Sequence, residues 1–548
     1  MPCPYKEFIC RKHYLNWYDF ARIGVVVKYQ TKKLFSSFSL YTLALISGVL
    51  MGLTVAPVGA WFLAWIALAP LWVLINKETT QLAGKRRKFL LLPLFWGIGY
   101  HGLALFWITG IHPMDWLGVP WLASLAITTF CLTFVTLWGA AIVVVWAALM
   151  VRFAGKQPLL RVLIGTAIWC VLEGIWSAGD LWWSSLSYTQ SPHNLVILHL
   201  GQLAGPSAVT AAIVAVNGLI AEAWIHRKDK KIYANQYLAI ATGLFITLHI
   251  IGFSLYSIPL SKPADKALKV GIVQGNIPNI IKLKPEGLRR AIAGYTNGYL
   301  TLADQGVDAV LTPEGALPFF QRDLGTTPII SAVKEKGVVA WIGAFGEQGR
   351  SYTNSLFTYT GNGEVVSRYD KTKLVPLGEY IPFEEILGKL IQRLSPLDEH
   401  QVHGSPNQIF DTPFGRAIAG ICYDSAFSAQ FRRQAAAGGQ FILSSSNDAH
   451  YTAAMPFQHH AQDIMRAIET DRWSVRATNT GYSGFIDPHG KTLWISGYNT
   501  YEIHSETIYK RQTQTLYVRW GDWLTPLLLI SSSAAWLVNW KIQRAVED

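Results

Sequence analysis

The run Ala417-Ile418-Ala419-Gly420-Ile421-Cys422-Tyr423-Asp424-Ser425-Ala426-Phe427 decides how the second half of this 548-residue chain is read. Its apolar start suits a buried strand, and the residues after Cys422 suit the first turn of a helix. A thiol delivered to such a turn meets unpaired backbone N–H groups and the helix dipole, which favour the thiolate. A nucleophile is the expectation, with a buried structural cysteine as the alternative, since free Cys is among the most buried residue types. Two residues upstream weigh against that alternative. Glu314 ends the apolar run Ala309-Val310-Leu311-Thr312-Pro313, and Lys371 lies in Arg368-Tyr369-Asp370-Lys371-Thr372-Lys373. Acid, amine and thiol together supply the parts of acyl transfer.

The expected roles follow from chemistry. A thiol with the ordinary pKa of ~8.5 is mostly protonated at neutral pH, so Glu314 is expected to take its proton. The tetrahedral oxyanion needs donors, for which Lys371 and the N–H groups after Cys422 are placed. Glu379, in the turn Leu377-Gly378-Glu379-Tyr380-Ile381-Pro382, is expected to aim a second acid at Lys371 or at an incoming amine.

Around this constellation, strand-like runs fall at 268–274, 309–312, 338–345, 355–360, 417–421, 441–445 and 474–486. Amphipathic helices fit 285–305 and 458–472, the latter with Ala461, Ile464, Met465 and Ile468 at helical spacing. Such alternation predicts a layered α/β domain with strands buried between helices.

The rest of the chain differs in kind. With 51% hydrophobic and 15% charged residues and a mean hydropathy of +0.24, the composition is that of a membrane protein. Apolar runs near 38–54, 57–76, 89–110, 121–150, 160–180, 203–225, 237–257 and 521–540 predict about eight transmembrane helices. Lys and Arg cluster before the first run, between the second and third, and after the fourth, sixth and last, whereas the loops at 111–120 and 181–194 hold none. By the positive-inside rule both termini are expected in the cytoplasm and the large polar region outside, with the first span a signal anchor. The predicted organisation is a basic tail at 1–37, a membrane block at 38–260, an extracytoplasmic domain at 261–515, a closing helix at 516–541 and a short tail at 542–548.

This topology accounts for much of the net charge of +12, so nucleic acid is not an expected partner. Of five cysteines, Cys3 and Cys10 lie in the tail, Cys131 and Cys170 in predicted spans, and only Cys422 in the external region, which excludes a disulfide framework. His459, His460 and Asp463 invite a metal, but adjacent histidines project in different directions and no ligand set is complete, so neither metal nor cofactor is expected. Glu173, deep in a predicted span, is read as a hydrogen-bonding fixture or part of a lipid cavity.

Several segments together resemble the apolipoprotein N-acyltransferases, a membrane-bound branch of the nitrilase superfamily. They are Val273-Gln274-Gly275-Asn276-Ile277-Pro278, Thr312-Pro313-Glu314, Tyr369-Asp370-Lys371, Leu374-Val375-Pro376-Leu377-Gly378-Glu379, Gly420-Ile421-Cys422-Tyr423, Ser446-Asn447-Asp448-Ala449, Met465-Arg466-Ala467 and Ile486-Asp487-Pro488. The resemblance implies an external nitrilase-like α-β-β-α sandwich on a polytopic helical block in the bacterial inner membrane. It implies an acyl group moving from a membrane phospholipid to Cys422 as a thioester, then to the α-amino group of a diacylglyceryl apolipoprotein. It also implies supporting active-site roles for Glu379, Tyr423 and Asp424. The chain departs from the family pattern at Asp424, where Glu is usual, at His450-Tyr451, where Trp-Phe is favoured, and at Leu283, where Trp is common. These last three resemble loop elements that contact acyl chains or gate access. The rival readings are a membrane-tethered nitrilase-type amidase, in which water takes the acyl group, and a non-catalytic binding module, which would be expected to lose Glu, Lys or Cys.

Overall fold

The computed structural model describes residues 39–81, 90–155, 157–228, 231–376, 378–380 and 401–547. The tail to residue 37 with Cys3 and Cys10, the cluster Lys85-Arg86-Arg87-Lys88, and Leu377, Ile381 and Pro382 lie outside them.

The α/β half is built on strands β1 (Ala267–Gln274), β2 (Ala309–Leu311), β3 (Val339–Gln348), β4 (Ser351–Tyr359), β5 (Val365–Asp370), β6 (Phe410–Thr412), β7 (Gly415–Ile421), β8 (Ile442–Ser446), β9 (Ser474–Thr478), β10 (Gly484–Ile486), β11 (Thr492–Ile495) and β12 (Glu502–Tyr509). They form two six-stranded sheets, β12-β1-β2-β3-β4-β5 and β11-β10-β9-β8-β7-β6. In each, three parallel strands (β1, β2, β3 and β7, β8, β9) lie inside antiparallel neighbours. Parallel strands covered on both faces need near-continuous apolar runs, and these are the strands that have them.

The sheets face each other across Val270, Ile272, Leu311 and Trp341 on one side and Ala419, Ile421, Leu443 and Val475 on the other. Helices Pro285–Asp304 and Pro328–Lys336 cover the first sheet through Tyr295, Tyr299, Ile330 and Val333. Helices Ser428–Ala436 and Ala454–Thr470 cover the second, with Phe431 against Ile418 and Ile464 and Ile468 against Ile486. The expected α-β-β-α layering is therefore present.

Two elements differ from the sequence reading. The run expected as one strand at 474–486 is β9 and β10 joined by a reversal at Gly481, whose φ of 112° favours glycine. The helix expected at 458–472 runs Ala454–Thr470, and its polar face is as buried as its apolar one. That face is covered by the membrane block: Gln458 Nε2 donates to the carbonyls of Ala56 and Ala104 (3.0 and 2.9 Å), Trp183 Nε1 donates to Gln458 Oε1 (2.7 Å), and Ser191 Oγ donates to the carbonyl of Ala461 (2.6 Å).

Among the described residues, four helices are long and apolar enough to cross a membrane: Trp121–Phe153, Pro158–Ala178, Pro206–His226 and Lys231–Tyr256. Ser39–Gly52 and Leu91–Ala104 are shorter, and the closing helix runs Leu524–Glu547, past the expected end at 541. The run at 57–76, read as one span, is broken into a 3-10 turn Trp61–Trp65 and a helix Ala69–Gln81. Asn217 from Pro206–His226 sits in the break, its Oδ1 accepting the N–H groups of Leu68 and Ala69 (2.9 and 3.0 Å) and its Nδ2 donating to the carbonyl of Ala64 (2.8 Å). Irregular backbone among apolar helices is tolerated because another helix satisfies it.

Glu173 is held as a hydrogen-bonding fixture. Its carboxylate accepts from Trp169 Nε1 (3.1 Å), Ser185 Oγ (2.8 Å), the Leu186 N–H (2.9 Å) and Thr210 Oγ1 (2.9 Å), tying two long helices to the loop beneath the α/β half.

Candidate active site

Glu314, Lys371 and Cys422 follow β2, β5 and β7, and all three side chains are buried. Lys371 Nζ lies 2.9 Å from Glu314 Oε1 and 2.6 Å from Glu379 Oε1, so one ammonium bridges two carboxylates. Burial alone would lower the Lys371 pKa, but the two carboxylates outweigh it and hold the group well above its ordinary value. Burial, with the charge of Glu314, raises Glu379 despite the opposing pull of Lys371. Glu379 Oε2 also accepts the Val375 N–H (2.7 Å), which closes its own turn.

Cys422 opens a five-residue 3-10 turn, Cys422–Ala426, with φ of 52°. Burial first, and then the charge of Glu314, push its thiol well above the usual range against the pull of Lys371. Desolvation outweighs what a helix end so short offers the thiolate.

Asp424 serves the architecture of the site. Its Oδ2 accepts the Ile421 N–H and Tyr369 Oη (both 3.0 Å), and its Oδ1 accepts Thr372 Oγ1 and the Lys373 N–H (both 2.8 Å). One carboxylate thus locks the segment bearing Lys371 to the strand bearing Cys422. Asp424→Ala leaves these buried donors without acceptors and is expected to destabilise the fold by about 2–3 kcal/mol, read as a lower thermal midpoint in detergent. An unchanged midpoint would contradict this role.

Tyr423 faces the membrane block. Its hydroxyl donates to the Asp180 carbonyl (2.6 Å) and accepts the Trp182 N–H (3.0 Å), and its ring stacks on Trp183 at 6.1 Å between centroids. Tyr451 packs edge-on against Trp107 at 4.9 Å, Asn279 lies within 2.7 Å of the His450 ring, and Leu283 is 39% exposed at the end of the turn Asn279–Lys282. His459, His460 and Asp463 do not converge: His460 meets Thr492 (2.9 Å) and Asp463 meets Arg476 (2.5 Å).

Three residues escaped the sequence reading. Asn354 on β4 donates to Glu314 Oε1 (2.7 Å), a polar residue inside a strand being its only trace. Asp180 pairs with Lys373 (3.0 Å) and accepts from Tyr380 (2.8 Å), tying the Glu379 turn to the membrane block. Lys282 donates to the Glu314 carbonyl (3.3 Å), and burial pushes its ammonium down to about 8 against the attraction of Glu314 and Cys422. Since an unfolded lysine titrates near ~10.5, the unfolded chain binds the extra proton between these values, and Lys282 adds stability as pH rises through that window. The thermal midpoint of wild type relative to Lys282→Met is expected to rise from pH 8 toward 10. A constant difference would contradict the shift.

Residues 269–515 match the family model for carbon-nitrogen hydrolases, and residues 47–219 match that for the apolipoprotein N-acyltransferase N-terminal domain. A Nostoc sp. protein named apolipoprotein N-acyltransferase is 72% identical over 494 residues, covering 89% of this chain and 97% of that protein. The chain belongs to the apolipoprotein N-acyltransferase family. A Synechocystis sp. protein of the same name is 48% identical over 509 residues, covering 89% of this chain and 98% of its own. The crystal structure of an amidase from Nesterenkonia sp. is similar at 17% identity and a TM-score of 0.35, covering 47% of this chain and 95% of that one. As an apolipoprotein N-acyltransferase the chain is an acyltransferase that carries a carbon-nitrogen hydrolase domain on a block of apolar helices.

Proposed function

We propose that Cys422 is the nucleophile that carries a fatty acyl chain from a membrane phospholipid to the α-amino group of a diacylglyceryl apolipoprotein. Glu314 takes the thiol proton as sulfur attacks the ester carbonyl, and Lys371, with backbone N–H groups after Cys422, stabilises the oxyanion. Collapse breaks the acyl–oxygen bond, Glu314 returns the proton to the leaving glycerol oxygen, and a lysophospholipid departs from a thioester. The acceptor amine then attacks the thioester, Glu314 takes its proton and passes it to the departing Cys422 sulfur, and the thiol and the carboxylate are both restored. Glu379 holds Lys371 charged and in place. Asp424 and Tyr423 hold the nucleophile turn, and Leu283, His450 and Tyr451 contact the acyl chains.

The observation that carries this reading is the docking of Tyr423, next to the nucleophile, onto Asp180 and Trp182 of the loop that follows Pro158–Ala178. A thiol held against a membrane-embedded block meets two lipid-borne substrates by diffusion in the bilayer, which raises their effective concentration. The reading includes about eight transmembrane helices, an extracytoplasmic domain near 261–515, a closing helix, and both termini in the cytoplasm. The loop at 181–194, free of Lys and Arg, supports it because its Trp183 and Ser191 bond to the α/β half. Arg161, at the other end of Pro158–Ala178, pairs with Glu222 at 2.6 Å.

The test is product analysis with the detergent-purified protein, a phospholipid and a diacylglyceryl peptide bearing a free N-terminus. Acylation of the peptide amine in step with lysophospholipid release is expected. Release of free fatty acid at the same rate with or without the peptide would favour the amidase-type hydrolase instead.

A further inference from the structure

We propose that His459 is a positioning residue for Cys422, donating from both ring nitrogens and holding the nucleophile turn by its backbone carbonyl. The inference rests on the reading of Cys422 as nucleophile. His459 Nε2 lies 2.8 Å from the Cys422 carbonyl oxygen, and Nδ1 lies 3.2 Å from Asp448 Oδ1. A carbonyl and a carboxylate offer only lone pairs, so each nitrogen must bring a proton, and the ring carries a positive charge.

The turn needs such a hold. Cys422 has φ of 52°, a conformation that side chains with a Cβ rarely adopt and that persists only where surroundings over-determine it. Asp424 fixes the Ile421 N–H on one side of the turn. His459 fixes the Cys422 carbonyl on the other, leaving the following N–H groups free to face an oxyanion.

The charge is compensated rather than stranded. Asp448 Oδ2 accepts Arg476 Nη2 (3.2 Å), and Arg476 Nη1 donates to Asp463 Oδ2 (2.5 Å), with all four side chains fully buried. Two cations and two carboxylates close a neutral set behind the nucleophile, the arrangement in which buried charges persist. Burial alone would raise Asp448, yet His459 and Arg476 hold it below its usual range. The Cys422 thiol, the Asp448 carboxylate and a His459 nitrogen lie within 4.8 Å of one another. Both His459 nitrogens and both Asp448 oxygens already have protein partners, which favours this network over a metal centre. The His459 ring also meets Trp183 edge-on at 5.6 Å, so the hold on the nucleophile extends to the membrane block.

The test is single-turnover acylation of the full-length protein in detergent, comparing wild type, His459→Phe and His459→Gln, with Cys422→Ala as a blank. His459→Phe is expected to slow thioester formation about 100-fold, the penalty of a misplaced nucleophile, with little change in donor KM. His459→Gln, whose amide can still donate to the Cys422 carbonyl, is expected to recover part of the rate. Acylation by His459→Phe near the wild-type rate, or identical rates for Phe and Gln, would overturn the proposal while leaving the nucleophile intact. Absence of any adduct on wild type would instead overturn the reading of Cys422. Should the variants not fold, ¹⁵N-histidine NMR of wild type decides: His459 with both nitrogens protonated is expected, and a neutral ring refutes the role.

Discussion

Lys371→Met is expected to slow acylation of the enzyme by about 10³-fold or more, the scale set by loss of an oxyanion donor together with loss of a competent base. The second loss follows from geometry. The Lys371 ammonium is buried between Glu314 and Glu379 at 2.9 and 2.6 Å. Without it the buried Glu314 and the partly buried Glu379 lose the cation that bridges them, and like charges held close do not both ionise. Glu379 is already raised by burial and by Glu314. Loss of the cation therefore raises the proton affinity of the pair, which works against a free carboxylate as proton acceptor. Removing one member of a buried ion pair also destabilises by about 3–5 kcal/mol. Rapid mixing with phospholipid and quantification of the acyl-enzyme checks the rate; near-normal acylation of a folded Lys371→Met protein would remove Lys371 from the mechanism.

Glu314→Gln is expected to reduce acylation by about 10²- to 10⁴-fold, the range for loss of a general base, while making Cys422 easier to alkylate. The two effects have opposite signs for one reason. The negative charge of Glu314 raises the Cys422 pKa, so its removal lowers that pKa and increases the thiolate fraction at a given alkaline pH. Acyl transfer still fails because nothing accepts the proton during attack or returns it to the leaving group. A Gln side chain keeps an oxygen for Asn354 Nδ2 and Lys371 Nζ, so the fold is expected to survive. The alkylation profile with iodoacetamide against pH and the acylation rate are the paired readouts. Parallel loss of both would indicate a collapsed site.

What the sequence made legible, and what it hid, divides along burial. Strands β1, β2, β3, β7, β8 and β9 read as apolar runs because both faces are covered. The strands missed were β5, β6, β11 and β12, which are the four sheet edges. Edge strands leave one backbone edge unpaired, and Glu502–Tyr509 is largely polar, so no hydrophobic run reveals it. The catalytic candidates were legible because Glu314, Lys371 and Cys422 stand at strand ends in a recognisable order. Their supports were not, because Asn354, Asp180 and Lys282 reach the site by folding, and nothing local marks them. His459 reads in the sequence only as a candidate metal ligand, since its spacing on a helix does not give the carbonyl it meets. Gln274, in the first quoted motif, is a scaffold residue. Its Oε1 accepts the hydroxyls of Thr478, Ser483 and Ser496 at 3.0, 2.6 and 2.7 Å, binding β1 to the β9–β10 turn.

The central claim is a thioester on one sulfur. Intact-mass and peptide analysis of the purified protein after exposure to a phospholipid of defined acyl chain tests it most directly. The predicted result is a single acyl increment on the peptide containing Cys422, absent in Cys422→Ala, released by neutral hydroxylamine and discharged by a diacylglyceryl peptide. An acyl group that forms on another residue, or that persists in Cys422→Ala, would contradict it.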